Sequence, residues 1–345
     1  MTTLHPPPAP VIESWADGRA WDDFVDRAPD GTIGHRWAWM RIIPAAYGHQ
    51  TIPLAAVRDG EVTGVLPLAL LRSRLFGRHL VSMPYLDYGG LCTAGDRAAE
   101  DALAAAAVDL ARSSGAKLEL RHLGDRPIGL PAALHKVTMT LDLDGGEDAV
   151  WKRIRSNRRA QVRKAQRNGL QAGVHGLDAL DDFYGIIATN MRDLGSPVHR
   201  RRFFERTVAE LGQDARIVVV RDGGQAVGAG MVLVHGDQIA MPWPSSLRSA
   251  FARGSNQLLY WEVLRYGIER GCRRFDFGRS SKDAGTFEWK RQWGAELVQL
   301  FWHRDPPQEA DEDQQRLEWA TRLWRRFPVG VANAVGPLVR GGLPN

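Results

Sequence analysis

Lys290 stands between two tryptophans, Trp289 and Trp293, near the end of the stretch 273–296. That stretch begins as a short strand pattern, Phe275 to Phe277, and opens into a loop rich in Gly, Ser and Asp, a composition suited to the wall of a ligand cleft. An ammonium held there would face negative charge on whatever the cleft binds. The alternative is a lysine that lays its methylene stem across exposed indole rings and keeps its charge in water. Asp87 lies between Tyr85 and Tyr88, just before Gly89 and Gly90. Flanking rings desolvate a carboxylate and suit it to accept a proton or orient an amine, whereas a turn aspartate bonds its own backbone; the spacing fits both. Asp276, flanked by Phe275 and Phe277, reads as a structural carboxylate for loop N–H groups.

A second chemistry is phosphate binding. Residues 151–169 carry Lys152, Arg153, Arg155, Arg158, Arg159, Arg163, Lys164 and Arg167 and no acidic residue. On one helix these cations cover most of the circumference and leave a narrow stripe of Trp151, Ile154, Val162 and Ala165. Their mutual repulsion is relieved either by an external polyanion, with salt-dependent binding, or by carboxylates of the other domain. Arg36, and Arg200, Arg201 and Arg202, open helical patterns, where free N–H groups add to a guanidinium's bidentate grip on phosphate. For at least two of these four, plain surface solvation is the alternative.

The elements that must position these residues repeat along the chain. His35 and His199 stand 164 residues apart, each ahead of a helical pattern, and Gly64 and Gly228 stand at the same offset inside Asp-Gly hairpins. Two local structures recurring at one offset mark a duplicated α/β unit: helix, hairpin, longer strand, helix, strand. In the second copy the strands fall at 214–220, 226–235 and 273–277, with a helix from about Ser255, read as its N-cap, to Glu269 and a stop at Gly271. The expected organisation is a disordered leader over 1–10, a first unit over 11–140 and a second over 141–304. Residues 305–345 then make an acidic linker and a helix, with Leu317, Trp324 and Phe327 near one face, packing back on the first unit. The last part, 324–340, mixes basic and apolar residues and is a candidate for membrane-surface contact, although Gly and Pro interrupt an amphipathic helix there.

At 345 residues and 44% hydrophobic composition the chain suits two cores, and its net charge of +5 is concentrated locally. Cys92 and Cys272 form no disulfide framework or redox pair, the ten histidines show no ligand spacing, and no metal is expected. No Gly-x-Ser-x-Gly elbow or phosphate-binding P-loop is present, and Gly228-Ala-Gly230 lacks a third glycine. The N-terminus lacks the pattern of a signal peptide, and no apolar run reaches the roughly 18 residues of a membrane span. The expected location is cytoplasmic, with peripheral contact at the inner membrane face as a variant.

The stretch Phe275-Asp-Phe-Gly278, followed by the aromatic–lysine pair Trp289-Lys290 and Gly294, resembles the C-terminal signature of the FemAB-like transferases. The resemblance implies an α/β fold of two tandem GNAT-like units with mixed sheets and a C-terminal helical tail. It implies acyl transfer, from aminoacyl-tRNA to an amine of a cell-envelope (peptidoglycan) precursor that is nucleotide- or lipid-linked. The alternative is an acyl-CoA-dependent N-acyltransferase in exopolysaccharide or small-molecule biosynthesis. No bound cofactor is implied; the co-substrate is aminoacyl-tRNA or acyl-CoA. Lys290 falls on the family's lysine and, with Asp87 as base, is the catalytic candidate. Arg36, Arg201, Trp289, Trp293, Tyr85 and Tyr88 are the substrate-binding candidates, and Arg155, Arg158, Arg159, Arg163 and Lys164 the tRNA- or phosphate-binding ones. A CoA site normally has Arg/Gln-x-x-Gly-x-Gly/Ala before its helix, whereas Ala252-Arg-Gly-Ser-Asn256 offers one glycine, which favours tRNA. A non-enzymatic alternative is a scaffold whose basic helix binds an anionic polymer.

Overall fold

The computed structural model describes residues 8–281, 285–307 and 321–343. The chain forms β1 (Val11–Ser14), β2 (Gln50–Arg58), β3 (Glu61–Ser73), β4 (Gly77–Ser82), β5 (Lys117–His122), β6 (Ala132–Ala133) and β7 (Lys136–Asp142). It continues with β8 (Gln171–His175), β9 (Ala215–Asp222), β10 (Gln225–His235), β11 (Gln238–Ser246), β12 (Arg274–Asp276), β13 (Ser280–Ser281), β14 (Glu296–Gln299) and β15 (Phe301–Asp305). They make two mixed sheets, ordered β1-β2-β3-β4-β5-β15-β6 and β13-β7-β12-β11-β10-β9-β8, with β14 also on β7. Helices α1 (Gly18–Arg27), α2 (Ala38–Tyr47) and α3 (Arg97–Ser114) accompany the first sheet. With the second go α4 (Gly146–Arg153), α5 (Ser156–Arg167), α6 (Leu180–Leu194), α7 (Arg201–Leu211), α8 (Ser255–Glu269) and α9 (Gly285–Arg291).

The duplication is visible residue by residue. Asp59 and Gly60, with φ of 53° and 82°, turn β2 into β3, and Gly223 and Gly224, at 55° and 88°, turn β9 into β10, since two successive positive values fit the hairpin twist. One residue is extra beside each repeated glycine: the ladder slips between Ala56 and Val57 opposite Gly64, and between Ala226 and Gly228. A Cβ on Gly228 would stand 2.9 Å from the Ser246 hydroxyl, so the bulge there needs glycine. The equivalent helices α2 and α7 lie against each other, and Trp39, Tyr47, Phe203, Phe204 and Trp243 make a shared core between the units.

The strands do not divide at the boundary near 141. β7, which that boundary would split, lies wholly in the second sheet, antiparallel to β12 and β14. β15, at the far end of the second unit, crosses back and pairs with β5 and β6. The units thus exchange strands, a long-range pairing that carries no local sequence signal. Where β15 meets β5, the buried Glu119 carboxylate accepts from Arg121 (2.8 Å) and Arg304 (2.8 Å), and Arg121 lies 4.4 Å over the Trp302 ring.

Two helical expectations change. Residues 151–169 are not one helix: Ile154 is buried in the second core, and it and Arg155 are extended (ψ 132° and 144°), separating α4 from α5. Ser255 is the first residue of α8 and the cap is Gly254 at φ 90°, because α5 closes over this end and a Cβ there would meet Ala165 at 3.0 Å. Conversely, Val329–Arg340 is helical despite Gly330, Gly336 and Pro337, and Gly336 is what lets it approach the Val198 backbone. This helix rests on α6 and ends against Tyr47 and Ser73, so it spans both units and not the first alone. Leu317 and most of the acidic linker lie outside the described residues. Among the described residues no helix is long and apolar enough to cross a membrane, and no cluster of His, Cys, Asp and Glu could hold a metal.

Seven histidines, His35, His49, His122, His135, His199, His235 and His303, have their pKa lowered chiefly by burial, His35 and His135 to about 4. On acidification the unfolded chain takes up these protons first, from about 6.5 downward, while the fold resists them. Stability is therefore expected to fall steadily between about pH 6.5 and 4, as urea midpoints measured across that range would show; a flat profile would contradict it.

Candidate active site

β11 and β12 run parallel only from Gln238–Ala240 against Arg274–Asp276. Beyond Ala240 the strand carries Pro242 and Pro244, which have no N–H to offer a neighbour, and the two strands splay. The splay leaves a cleft of about 320 Å³ between the units. Its wall includes Tyr85 and Asp87 from the first unit, His199, Trp243 and Lys290 from the second, and Arg340 from the C-terminal helix.

The dipeptide Gly278-Arg279 is gripped from three sides. The buried Asp276 carboxylate accepts from the Gly278 N–H (2.7 Å), the Tyr88 hydroxyl (2.7 Å) and the Thr138 hydroxyl (2.5 Å), serving the structural role expected of it. Burial raises its pKa, against the lowering effect of these donors. Asp87 accepts the Arg279 N–H at 2.8 Å and pairs with its guanidinium at 3.3 Å. Lys290 donates its ammonium to the Gly278 (2.6 Å) and Arg279 (3.1 Å) carbonyls. Lys290 and Asp87, 203 positions apart in sequence, thus meet on one turn. Gly278 has φ 74° and a Cβ there would stand 3.3 Å from Asp87, so glycine allows the meeting. Burial pulls the Lys290 pKa down to about 8, Asp87 and Asp276 hold it up and Arg279 lowers it further.

The other wall was not foreseen. Arg340 donates from Nε to Nε2 of His199 at 3.0 Å and lies 5.8 Å from the Tyr85 ring centroid. Since a guanidinium only donates, Nε2 is the acceptor, and Nδ1–H of the neutral ring donates to the Tyr47 hydroxyl oxygen (2.6 Å). Burial brings the Arg340 pKa down to about 10 and pushes that of His199 well below its ordinary value. His199 carried a signal, as the repeat partner of His35; Arg340 carried none, being brought in by a separate helix. Three cations, Arg279, Lys290 and Arg340, line a cleft that also holds Asp87, a distribution suited to an anionic ligand. Arg340→Ala is expected to raise KM for such a ligand roughly 10- to 100-fold, the worth of a charged hydrogen bond, and to spare kcat; steady-state kinetics check this.

The remaining candidates are placed as follows. Tyr85 lines the cleft and donates to the Gly341 carbonyl at 2.8 Å, while Tyr88 is buried and spent on Asp276. Trp293 is fully buried in the second core, and Trp289 packs on Tyr260 with Arg158 5.3 Å above its ring. Neither tryptophan lines the cleft; they anchor α9 while the lysine between them turns the other way. Arg36 is paired with Asp22 and Asp26, and Arg201 with Asp181 and Glu205, and neither lines the cleft. Arg200 is the nearer cation, donating to the Ala46 carbonyl and lying over Tyr47. Arg155, Arg158, Arg159, Arg163 and Lys164 form no ion pair among the described residues. Their helix adjoins the one that carries Lys290, because the Arg155 N–H bonds the Gln292 carbonyl (3.4 Å) and Arg158 covers Trp289.

Residues 156–291 match the family described as "Acetyltransferase (GNAT) domain". No curated protein matches the chain. Among solved structures it is similar to FemX, at 15% identity and TM-score 0.67, over 89% of this chain and 99% of that one. It is also similar to L-PGS from Bacillus licheniformis, at 13% identity and TM-score 0.57, over 90% and 98% of the two chains. A tandem GNAT protein from the clavulanic acid biosynthesis pathway aligns at 13% identity and TM-score 0.52, over 84% and 95%. The chain therefore has the tandem GNAT fold shared with FemX, the architecture that its sequence resemblance to the FemAB-like transferases implies.

Proposed function

We propose that the protein is an acyltransferase that moves an aminoacyl group from aminoacyl-tRNA to the amine of an anionic, envelope-precursor type of acceptor. The acceptor amine attacks the ester carbonyl, the tetrahedral oxyanion is stabilised by the Lys290 ammonium, and the tRNA ribose hydroxyl leaves as the C–O bond breaks. Asp87 accepts the proton lost by the amine and returns it to the departing ribose oxygen, and Arg279 with Arg340 hold the acceptor's negative charge. The observation that carries the donor assignment is the basic face of α5, unneutralised within the described residues and abutting the helix of Lys290. A polyanion lying on that face would bring its charged end toward the cleft. The helix ends that a CoA diphosphate would use are closed: Asp96 caps α3, and α5 covers the buried start of α8.

An acyl-CoA donor is the second reading, favoured by the match of residues 156–291 to an acetyltransferase domain. Purified protein is incubated with amine acceptors and either charged tRNA or acyl-CoA, with and without RNase. Product that requires tRNA and disappears with RNase is expected; product formed from acyl-CoA after RNase treatment would overturn the tRNA donor.

A further inference from the structure

The helix Val329–Arg340 has one face turned to α6 and another turned to solvent. Ala332 and Gly336 are buried, whereas Val331, Val335 and Leu338, spaced four and three residues apart, are 45%, 39% and 69% exposed. Its C-terminal end touches the turn between β3 and β4, since a Cβ on Gly342 would stand 2.7 Å from the Ser73 hydroxyl and 3.4 Å from the Phe76 ring. At the tip of that turn Leu75 is 78% exposed. It is no loose end, because the Ser73 hydroxyl accepts from the N–H groups of both Leu75 and Phe76 and fixes the turn. An outward leucine on the turn and an apolar helical stripe whose end touches that turn are the exposed apolar groups of this region.

Among the described residues, the charged side chains carried by these two segments have one sign. Arg72, Arg74 and Arg78 flank Leu75, and Arg322, Arg325 and Arg326 precede the helix; all six are exposed. Neither 71–79 nor 321–343 contains an Asp or Glu. An apolar stripe flanked by these arginines is complementary to a surface that is apolar beneath and anionic at its face. Two copies of this patch would instead bring like charges together.

From this juxtaposition of Leu75, Val331, Val335 and Leu338 with six arginines, we propose that the protein docks on anionic lipid membranes through this surface. Docking sets the cleft beside the membrane. Arg340 at the end of the same helix lines the cleft, Leu194 is on its rim, and Arg325 donates to the Leu194 carbonyl. A bound membrane would thus lie next to the cleft mouth. The inference does not depend on which acyl donor the enzyme uses.

The test is sedimentation of the full-length protein with vesicles of phosphatidylcholine alone and of phosphatidylcholine mixed with phosphatidylglycerol. Binding to the mixed vesicles only, weakened by salt, is expected. Leu75→Asp with Leu338→Asp should lower it more than tenfold, and Arg74→Glu should lower it at least the roughly fivefold that one surface arginine contributes. Circular dichroism melting confirms that the variants fold. Absence of binding to the mixed vesicles, or equal binding to both, would overturn the proposal. Salt-sensitive binding untouched by the leucine changes would assign the patch to a soluble polyanion, and a dimer in solution lost on Leu338→Asp would assign it to self-association; either result also overturns it.

Discussion

Lys290→Ala is expected to lower kcat by about 10²- to 10³-fold, the usual cost of deleting one preorganised group that faces developing charge. The same change leaves the Gly278 and Arg279 carbonyls without their donor, a stability cost of about 1–3 kcal/mol. Activity should therefore fall far more than folding, and urea unfolding beside single-turnover kinetics separates the two. Equal losses would make the lysine structural. The pH dependence gives a second reading of the same residue. With a folded pKa of about 8, below the ordinary 10.5, the ammonium is lost from the native protein first as pH rises. A rate that needs the charge should decline above about pH 8, and Lys290→Arg should move that limb upward. Stability takes the opposite course: between about pH 8 and 10.5 the unfolded state holds the extra proton, so this group's contribution rises with pH.

Glu119→Ala is expected to cost about 3–5 kcal/mol of stability, the largest effect of any single substitution considered. The carboxylate answers two buried guanidiniums at once, and removing it takes from Arg121 and Arg304 the buried negative charge they share. Burial raises the Glu119 pKa, but the two arginines outweigh it and hold the group below the usual carboxylate range, so it stays charged. The exposed pair Asp144–Arg273 is the control, since solvent screens it and Asp144→Asn should leave the urea midpoint nearly where it was. If both variants unfold at the same urea concentration, the buried network is not what ties β15 to β5.

Much of the scaffold was legible because it is local. Asp-Gly turns, glycines at bulges and apolar helix faces repeat at a fixed offset, and hairpins, helices and duplication all follow from them. Strand exchange was not legible, because β7 and β15 pair with partners that sequence distance does not indicate. The site was legible in part for the same reason. Lys290 and Asp87 carried local compositional signals and meet in the fold, as the two units close on Gly278-Arg279. Trp293 carried the same kind of signal and went to the core, since an indole beside a lysine looks alike whether it stacks on a ligand or on Phe277 and Tyr260. Arg36 and Arg201 were read from helix starts, but carboxylates only a few residues or one helix away claim them first. Arg340 reaches the cleft only through tertiary packing of a helix that Gly and Pro had argued against.

The exchange of β7 and β15 has a mechanical consequence. Each sheet is joined to the other by two short crossings, 134–135 between β6 and β7 and Leu300 between β14 and β15, so rotating one half against the other would have to stretch connections with almost no slack. Such a frame behaves as a truss with two crossed ties and not as a pair of jaws on a hinge. Substrates of different bulk must then be accommodated by side-chain rearrangement within a fixed span, and the distance from the wall bearing Asp87 and Lys290 to the wall bearing Arg340 becomes a built-in gauge of what fits between them.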